Sequence, residues 1–332
     1  MRNKRRIRYL LVALAVSHLV VVFAGFIAPC DAKQQDRSLP YAPPTRMHFV
    51  GASGFHFRPF VFASLADADG YREDRTREYP VHFFVKGSSY AVFGMIKSDV
   101  HLFGVDAPAR FMLLGADAFG RDEFSRLLWG GQISLAAGLL ATLITLTTAA
   151  VIGTVSGFHG GWVDEALMGV SELFLSLPWL YFLLGVRAFL PLHVSPTGTF
   201  FLLIGVIGLI GWARPARLVR GVVLSARNRN YVSAARGFGA SDLYLLRTHI
   251  LPATFSVLLT QAAMLVPLYV AAEATLSFFG LGVSEPVPSW GNMLAALQHY
   301  SVLVSYDWLL APAAALVVTS VMYGMLADAL DS

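Results

Sequence analysis

Arg214, Arg217, Arg220, Arg227, Arg229, Arg236 and Arg247 share one polar segment with a single acid, Asp242, between apolar runs each long enough to cross a bilayer. Guanidinium groups beside apolar runs hold a loop on the cytoplasmic side of a membrane, so the segment is expected there. Catalysis is not indicated. No nucleophile-and-base pair stands out, and none of the four lysines, Lys4, Lys33, Lys86 and Lys97, follows a glycine as the phosphate-binding loop of an ATPase requires. His48, His56, His82 and His101 lack metal-ligand spacing, and Asp67, Asp69, Glu73 and Asp74 lack the glycine and closing Glu of a calcium loop. No metal or cofactor is therefore expected. One acid, Glu273, falls inside an apolar run, where a charge costs about 2.5–3.5 kcal/mol on insertion scales. It either lines a translocation path or hydrogen-bonds a neighbouring helix near Pro267.

The elements that must carry these groups are mostly apolar. Of 332 residues, 56% are hydrophobic and 14% charged, with a mean hydropathy of +0.59, against about 25% charged for soluble domains. The isoelectric point near 9.2 reflects basic residues that flank spans, so the charge reads as a topology signal and no nucleic-acid partner is expected. Arg2, Lys4, Arg5, Arg6 and Arg8 precede the apolar run 9–28, which reads as an uncleaved anchor with its N-terminus inside; a cleaved signal peptide is the rival. Cys30, the lone cysteine, cannot form an internal disulfide.

Residues 31–128 carry twelve acids, twelve Lys/Arg and no spanning run, and the alternation of Val81, Phe83 and Val85 with His82, Phe84 and Lys86 predicts short strands. Further runs at 133–157, 163–190 (kinked at Pro178), 200–213, 255–279 and 307–325 follow, with an external loop over 191–199. The fold expected is an all-α polytopic membrane protein of six transmembrane helices with both termini cytoplasmic. A small β-rich extracytoplasmic insertion lies between its first two spans. Its parts are a tip and anchor, 1–30, the insertion, 31–128, and a five-span core, 129–328, with a cytoplasmic loop over 214–252. Near the interfaces, Asp164, Glu165 and Arg187 are expected to snorkel.

Within 231–252 the local pattern predicts two short helices with a glycine break. Ala234 and Ala235 make a small-residue face, Gly237 and Gly239 interrupt, Ser241 caps the second helix and Pro252 ends it. Leu243, Leu246 and Ile250 give that helix an apolar side. Small residues admit another protein's backbone; an amphipathic helix lying on membrane lipid fits the arginines as well.

The order Ser233, Ala234, Ala235, then Gly239, then Leu251 and Pro252 resembles the coupling-loop signature of ABC importer permeases, which implies that these residues, with Arg236, Gly237 and Asp242, dock an ATPase. It differs at Ser233, where the family pattern has Glu, and at His249, where it favours Ile. Gly115-Ala116-Asp117-Ala118-Phe119-Gly120-Arg121-Asp122 with Phe124-Ser125-Arg126, Leu276 to Gly282 and Pro288 to Met293 are similar to the dipeptide, oligopeptide and nickel subgroup of those permeases. The resemblance covers about residues 110–328 and implies a transport subunit without its own ATPase site, in the inner (cytoplasmic) membrane of a bacterial cell. It implies as partners two ABC ATPase subunits docked on 231–252, a second homologous permease completing the path, and an extracytoplasmic solute-binding protein. An importer of nickel or another non-peptide solute carries the same motifs. An ion- or proton-coupled secondary transporter remains the alternative of another class and predicts paired intramembrane charges.

Overall fold

The computed structural model describes residues 2–331 apart from 52–53, 68–69, 93–94, 179–180, 183–184 and 186–194. Arg187, His193 and 191–194 of the expected external loop lie outside the described residues.

The molecule is mostly helical. Among the described residues, three helices are long and apolar enough to cross a bilayer: Glu123–His159, Asp242–Phe278 and Asp307–Asp331. A fourth is reached if Thr197–Ile210 and Ala213–Arg227, bent by 43°, make one span. At about 1.5 Å per residue, the 37 residues of each of the first two helices exceed a hydrocarbon core of about 30 Å, so their ends stand beyond it.

Two of the six expected spans are interrupted. The run 9–28 divides into the helix Arg2–Val22 and a single turn, Ala24–Ile27. Ala28 is extended ahead of Pro29, because the proline ring disfavours helical geometry in the residue before it. The same effect acts on 163–190. The helix Gly161–Ser176 is broken at Leu177 (φ −80, ψ 130), ahead of Pro178, and residues 181, 182 and 185 are helical again, the Phe182 N–H donating to the Pro178 carbonyl at 3.1 Å. The helix Pro196–Ile210 starts inside the expected loop 191–199, where the Ser195 hydroxyl accepts the Gly198 N–H at 3.1 Å.

Among the described residues, five strands occupy the polar stretch: β1 (His48–Gly51), β2 (Gly54–Asp67), β3 (Gly70–Pro80), β4 (His82–Val92) and β5 (Ile96–Gly104). They form an antiparallel sheet of order β1-β2-β3 and a β4-β5 hairpin. Val61, Tyr79, Val81, Ala109 and Phe111 make their core. The expected alternation fails beyond Val81: Phe83 and Phe84 are both exposed, and Phe84 sits at φ 55, which breaks the inward-outward sequence of a strand.

By contact density the chain resolves into two units. One comprises Met1–Leu14, Leu135–Leu276 and Val318–Ser332; the other comprises Ala15–Ser134 and Ser277–Val317. In the first, Gly153 and Gly157 lie against the helix Ala213–Arg227. A Cβ on either would fall 2.5 Å from the Ala216 carbonyl oxygen or 2.9 Å from that of Arg220. Close helix approach, and not ligand binding, explains these two glycines.

Candidate functional site

The segment 231–252 belongs to the first unit and is built as a platform on few anchors. Its first helix, Asn230–Gly237, buries Val232 and leaves Ser233, Ala234, Arg236 and Gly237 exposed, with Ala235 half-buried. Phe238 follows, 93% exposed. Gly239 takes φ +85 with open space where a Cβ would stand, which is the backbone state glycine adopts without strain. Ser241 then caps Asp242–Leu245, its hydroxyl accepting the Tyr244 N–H at 3.4 Å. Arg236 reaches Asp242 at 3.6 Å, an exposed pair that fixes orientation more than it stabilises.

Two expectations for the second helix change. Pro252 does not end it: Leu246–Ile250 forms a π-helical turn that runs directly into Leu251–Phe278. The wider π turn before Pro252 eases the clash of its ring with the carbonyls of the preceding turn. The apolar side is also rotated. Leu245 and Ile250 are the buried pair, while Leu243 is 62% exposed and Tyr244 is exposed beside it. The π turn adds a residue to the repeat, so the inward positions are five apart. Ile250 joins Phe158, Val219, Val223 and Ala226 in one core cluster.

Several arginines expected to act as free topology signals have internal partners. Arg220 grips Asp164 with two hydrogen bonds of 2.5 Å, and Ser156 also donates to that carboxylate. Asp164 is therefore held in place, not snorkelling. Arg217 meets Glu172 at 3.4 Å, and Arg227 donates to the Phe158 carbonyl at 2.7 Å. These contacts tie the helix leading into the platform to the helices before it.

Glu273 is buried within the chain, 1% exposed, on the helix Leu251–Phe278.

The second unit gathers three motifs that stand far apart in sequence. In 115–122, Gly115 (φ +75) and Gly120 (φ +67) shape a turn. The Asp117 carboxylate accepts the backbone N–H of Phe119 at 2.8 Å and of Arg121 at 3.0 Å, and the Arg121 Nε at 2.6 Å. Asp122 precedes the helix Glu123–His159 and accepts the backbone N–H and the hydroxyl of Ser125 at 2.8 and 2.5 Å. Burial pushes its carboxyl up to about 6, although the Ser125 bonds oppose the rise. In 276–282, the Ser277 hydroxyl accepts the Val283 N–H at 3.2 Å. In 288–293, Ser289 and Asn292 form a reciprocal capping box, Asn292 also donates to the Val283 and Val287 carbonyls, and Trp290 donates to the Ser134 hydroxyl and the Leu127 carbonyl.

The residue that joins these motifs is Glu285, which the sequence reading passed over. It accepts Arg121 at 2.6 and 3.3 Å and Arg126 at 2.9 Å. Burial alone would raise its carboxyl, but the two guanidinium groups hold it below the usual range. The signal available was its position, an acid between the matched motifs 276–282 and 288–293. In the same unit, burial, with the nearby Asp122 charge, pushes the Cys30 thiol up to about 12.

Comparison with known proteins is consistent in kind. Residues 149–332 match the family model "Binding-protein-dependent transport system inner membrane component". The chain is 36% identical over 219 residues to the dipeptide transport system permease protein DppC of Bacillus subtilis, covering 65% of this chain and 66% of that one. It is 34% identical over 235 residues to the oligopeptide transport system permease protein OppC of the same organism, covering 70% and 74%. To the glutathione transport system permease protein GsiD of Pectobacterium atrosepticum it is 31% identical over 225 residues, covering 68% and 72%. An inward-facing structure of the MetNI methionine ABC transporter aligns with a TM-score of 0.47 at 17% identity, over 61% of this chain and 93% of that one.

Proposed function

Because the chain belongs to the binding-protein-dependent transport system inner membrane component family and is the permease subunit of an ABC importer, we propose that it imports peptides across the inner membrane of a bacterial cell. It has no ATPase site of its own, so its energy comes from a partner. In this reading two ABC ATPase subunits drive the importer, one docking on the platform 233–252 of this chain. A second, homologous permease completes the path, and an extracytoplasmic binding protein delivers the substrate. Six spans place both termini and the arginine-rich loop in the cytoplasm and the strands β1–β5 outside.

The observation that carries the reading is the build of the platform. Ser233, Ala234, Arg236, Gly237, Gly239 and Asp242 stand at the surface, and Val232, Leu245 and Ile250 anchor them from below. Exposed Phe238, Leu243 and Tyr244 beside small residues are a surface that a partner covers. ATP binding would move the partner's groove, and the platform would transmit that motion through the continuous helix Asp242–Phe278. Nucleotide shifts the access equilibrium only by its differential affinity for the two states.

The test is affinity purification of the full chain from membranes, intact and with Ala235→Asp plus Gly239→Asp. The intact chain should bring down an ATPase and a second permease, and the double variant should lose the ATPase alone. A chain that purifies alone or as a homodimer in both forms would overturn the reading and favour a secondary transporter.

A further inference from the structure

The three motifs of the second unit, together with Glu285, enclose a cavity of ≈ 560 Å³. Its polar lining includes Arg121, Glu123, Arg126, Glu285 and Asn292, and its apolar lining includes Phe278, Met293 and Leu309. Such a volume falls among ordinary small-ligand sites of about 300–1,000 Å³.

Two buried side chains on this lining are incompletely partnered. Glu123 and Arg126 are each 1% exposed, yet among the described residues Glu123 Oε1 and Arg126 Nη1 have no hydrogen-bond partner. Buried polar atoms are nearly always satisfied, and a buried charged group without a partner is costly. One unpartnered atom accepts and the other donates. They sit at positions 123 and 126, three residues apart on the first turn of one helix, hence on one face.

Charge narrows the ligand further. The cluster holds four carboxyl groups, Asp117, Asp122, Glu123 and Glu285, against the guanidinium groups of Arg121 and Arg126. Arg110, which also acts on Asp122, is balanced by Asp36 at 3.2 Å. Carboxyl groups outnumber guanidinium groups four to two, so an ammonium group finds acceptors here that a carboxylate would not. What suits the site is a group that offers an ammonium to Glu123 and, a short distance away, an acceptor oxygen to Arg126 Nη1.

We propose that this cavity binds the amino-terminal residue of a peptide, its α-ammonium on Glu123 and its first carbonyl oxygen on Arg126. The proposal rests on the peptide reading above and adds to it a permease-borne subsite that takes the free amino end. Phe278, Met293 and Leu309 receive the first side chain, and Asn292 is engaged with the Val283 and Val287 carbonyls.

The test measures thermal unfolding of the purified full chain in detergent, without the binding protein, against trialanine and N-acetyl-trialanine. Wild type should be stabilised by trialanine, and the acetylated peptide should need about 10-fold or more higher concentration, the loss of one charge-assisted hydrogen bond. Glu123→Gln should abolish that discrimination. Arg126→Lys, which keeps a cation for Glu285, should weaken both peptides alike. Absence of any trialanine shift, an equal response of wild type to both peptides, or discrimination retained in Glu123→Gln would overturn the site. Uptake by the assembled transporter separates this result from the import reading. Discrimination without peptide uptake leaves an amine site and removes peptide import; uptake without discrimination does the reverse.

Discussion

The platform at 231–252 and the charge cluster around Arg121 and Glu285 are both motif-bearing and polar, yet they are built in opposite ways. The platform exposes its motif residues and keeps only Val232, Leu245 and Ile250 as anchors. The cluster buries Asp117, Arg121, Asp122, Glu123 and Arg126 almost completely. A surface that meets a partner needs shape and freedom from internal obligations. A buried polar cluster needs every member matched, because charge inside protein is costly unless paired. Substitutions should therefore damage folding in the cluster and association in the platform.

The sharpest way to break this contrast is Arg126→Ala. Removing a buried guanidinium leaves the cluster's acids, Asp117 among them, short of a partner, a loss of about 3–5 kcal/mol; thermal unfolding in detergent should show it, and an unchanged melting temperature would mean the cluster is wet and weak. Next is the pH response of Asp122, whose folded-state value of about 6 lies above the ordinary carboxylate value near 4. The folded chain then holds a proton that the unfolded chain releases, so stability falls as pH rises from about 4 to about 6 and is level above, by at most about 3 kcal/mol. Asp122→Asn, which can still cap the helix, should flatten that slope.

Two glycines compare the regions directly. In Gly120→Ala the new Cβ would lie 1.9 Å from the Asp36 carbonyl oxygen at φ +67, so backbone must move and roughly 2–3 kcal/mol should be lost. In Gly239→Ala, at φ +85 with nothing near, only the backbone preference of about 1 kcal/mol is at stake. Equal losses at the two sites would erase the contrast. The smallest effect on stability, within about 0.5 kcal/mol beyond that glycine cost, is expected for Ala235→Asp in the double docking variant. Its yield from membranes should match wild type while ATPase recovery falls.

Much of the platform was legible because its features are local. The Ala234-Ala235 face, the Gly239 break and the Ser241 cap depend on neighbours within four residues. What escaped was the π turn at Leu246–Ile250, which rotates Leu243 outward and carries Pro252 inside a continuing helix; a one-residue change of phase leaves no mark in composition. The cluster was legible only as separate motifs. Glu285 is 164 residues from Arg121, and no periodicity links positions so far apart. Prolines were misread in degree: Pro252 lies inside a helix it was expected to end, and Leu177 ahead of Pro178 is extended where the run was expected only to kink.

By itself the sequence determined that the chain is largely apolar helix, that it carries no phosphate-binding loop, and that its exposed small-residue segment is set between long runs. Hydropathy, helix period and turn chemistry are short-range properties, written where they act. Only the tertiary structure decided which arginines are committed internally, Arg220 to Asp164 and Arg121 and Arg126 to Glu285. It also decided that Glu123 and Arg126 face one cavity. Ion pairs and cavities arise from groups brought together across the chain, and their energies depend on burial that no single segment specifies.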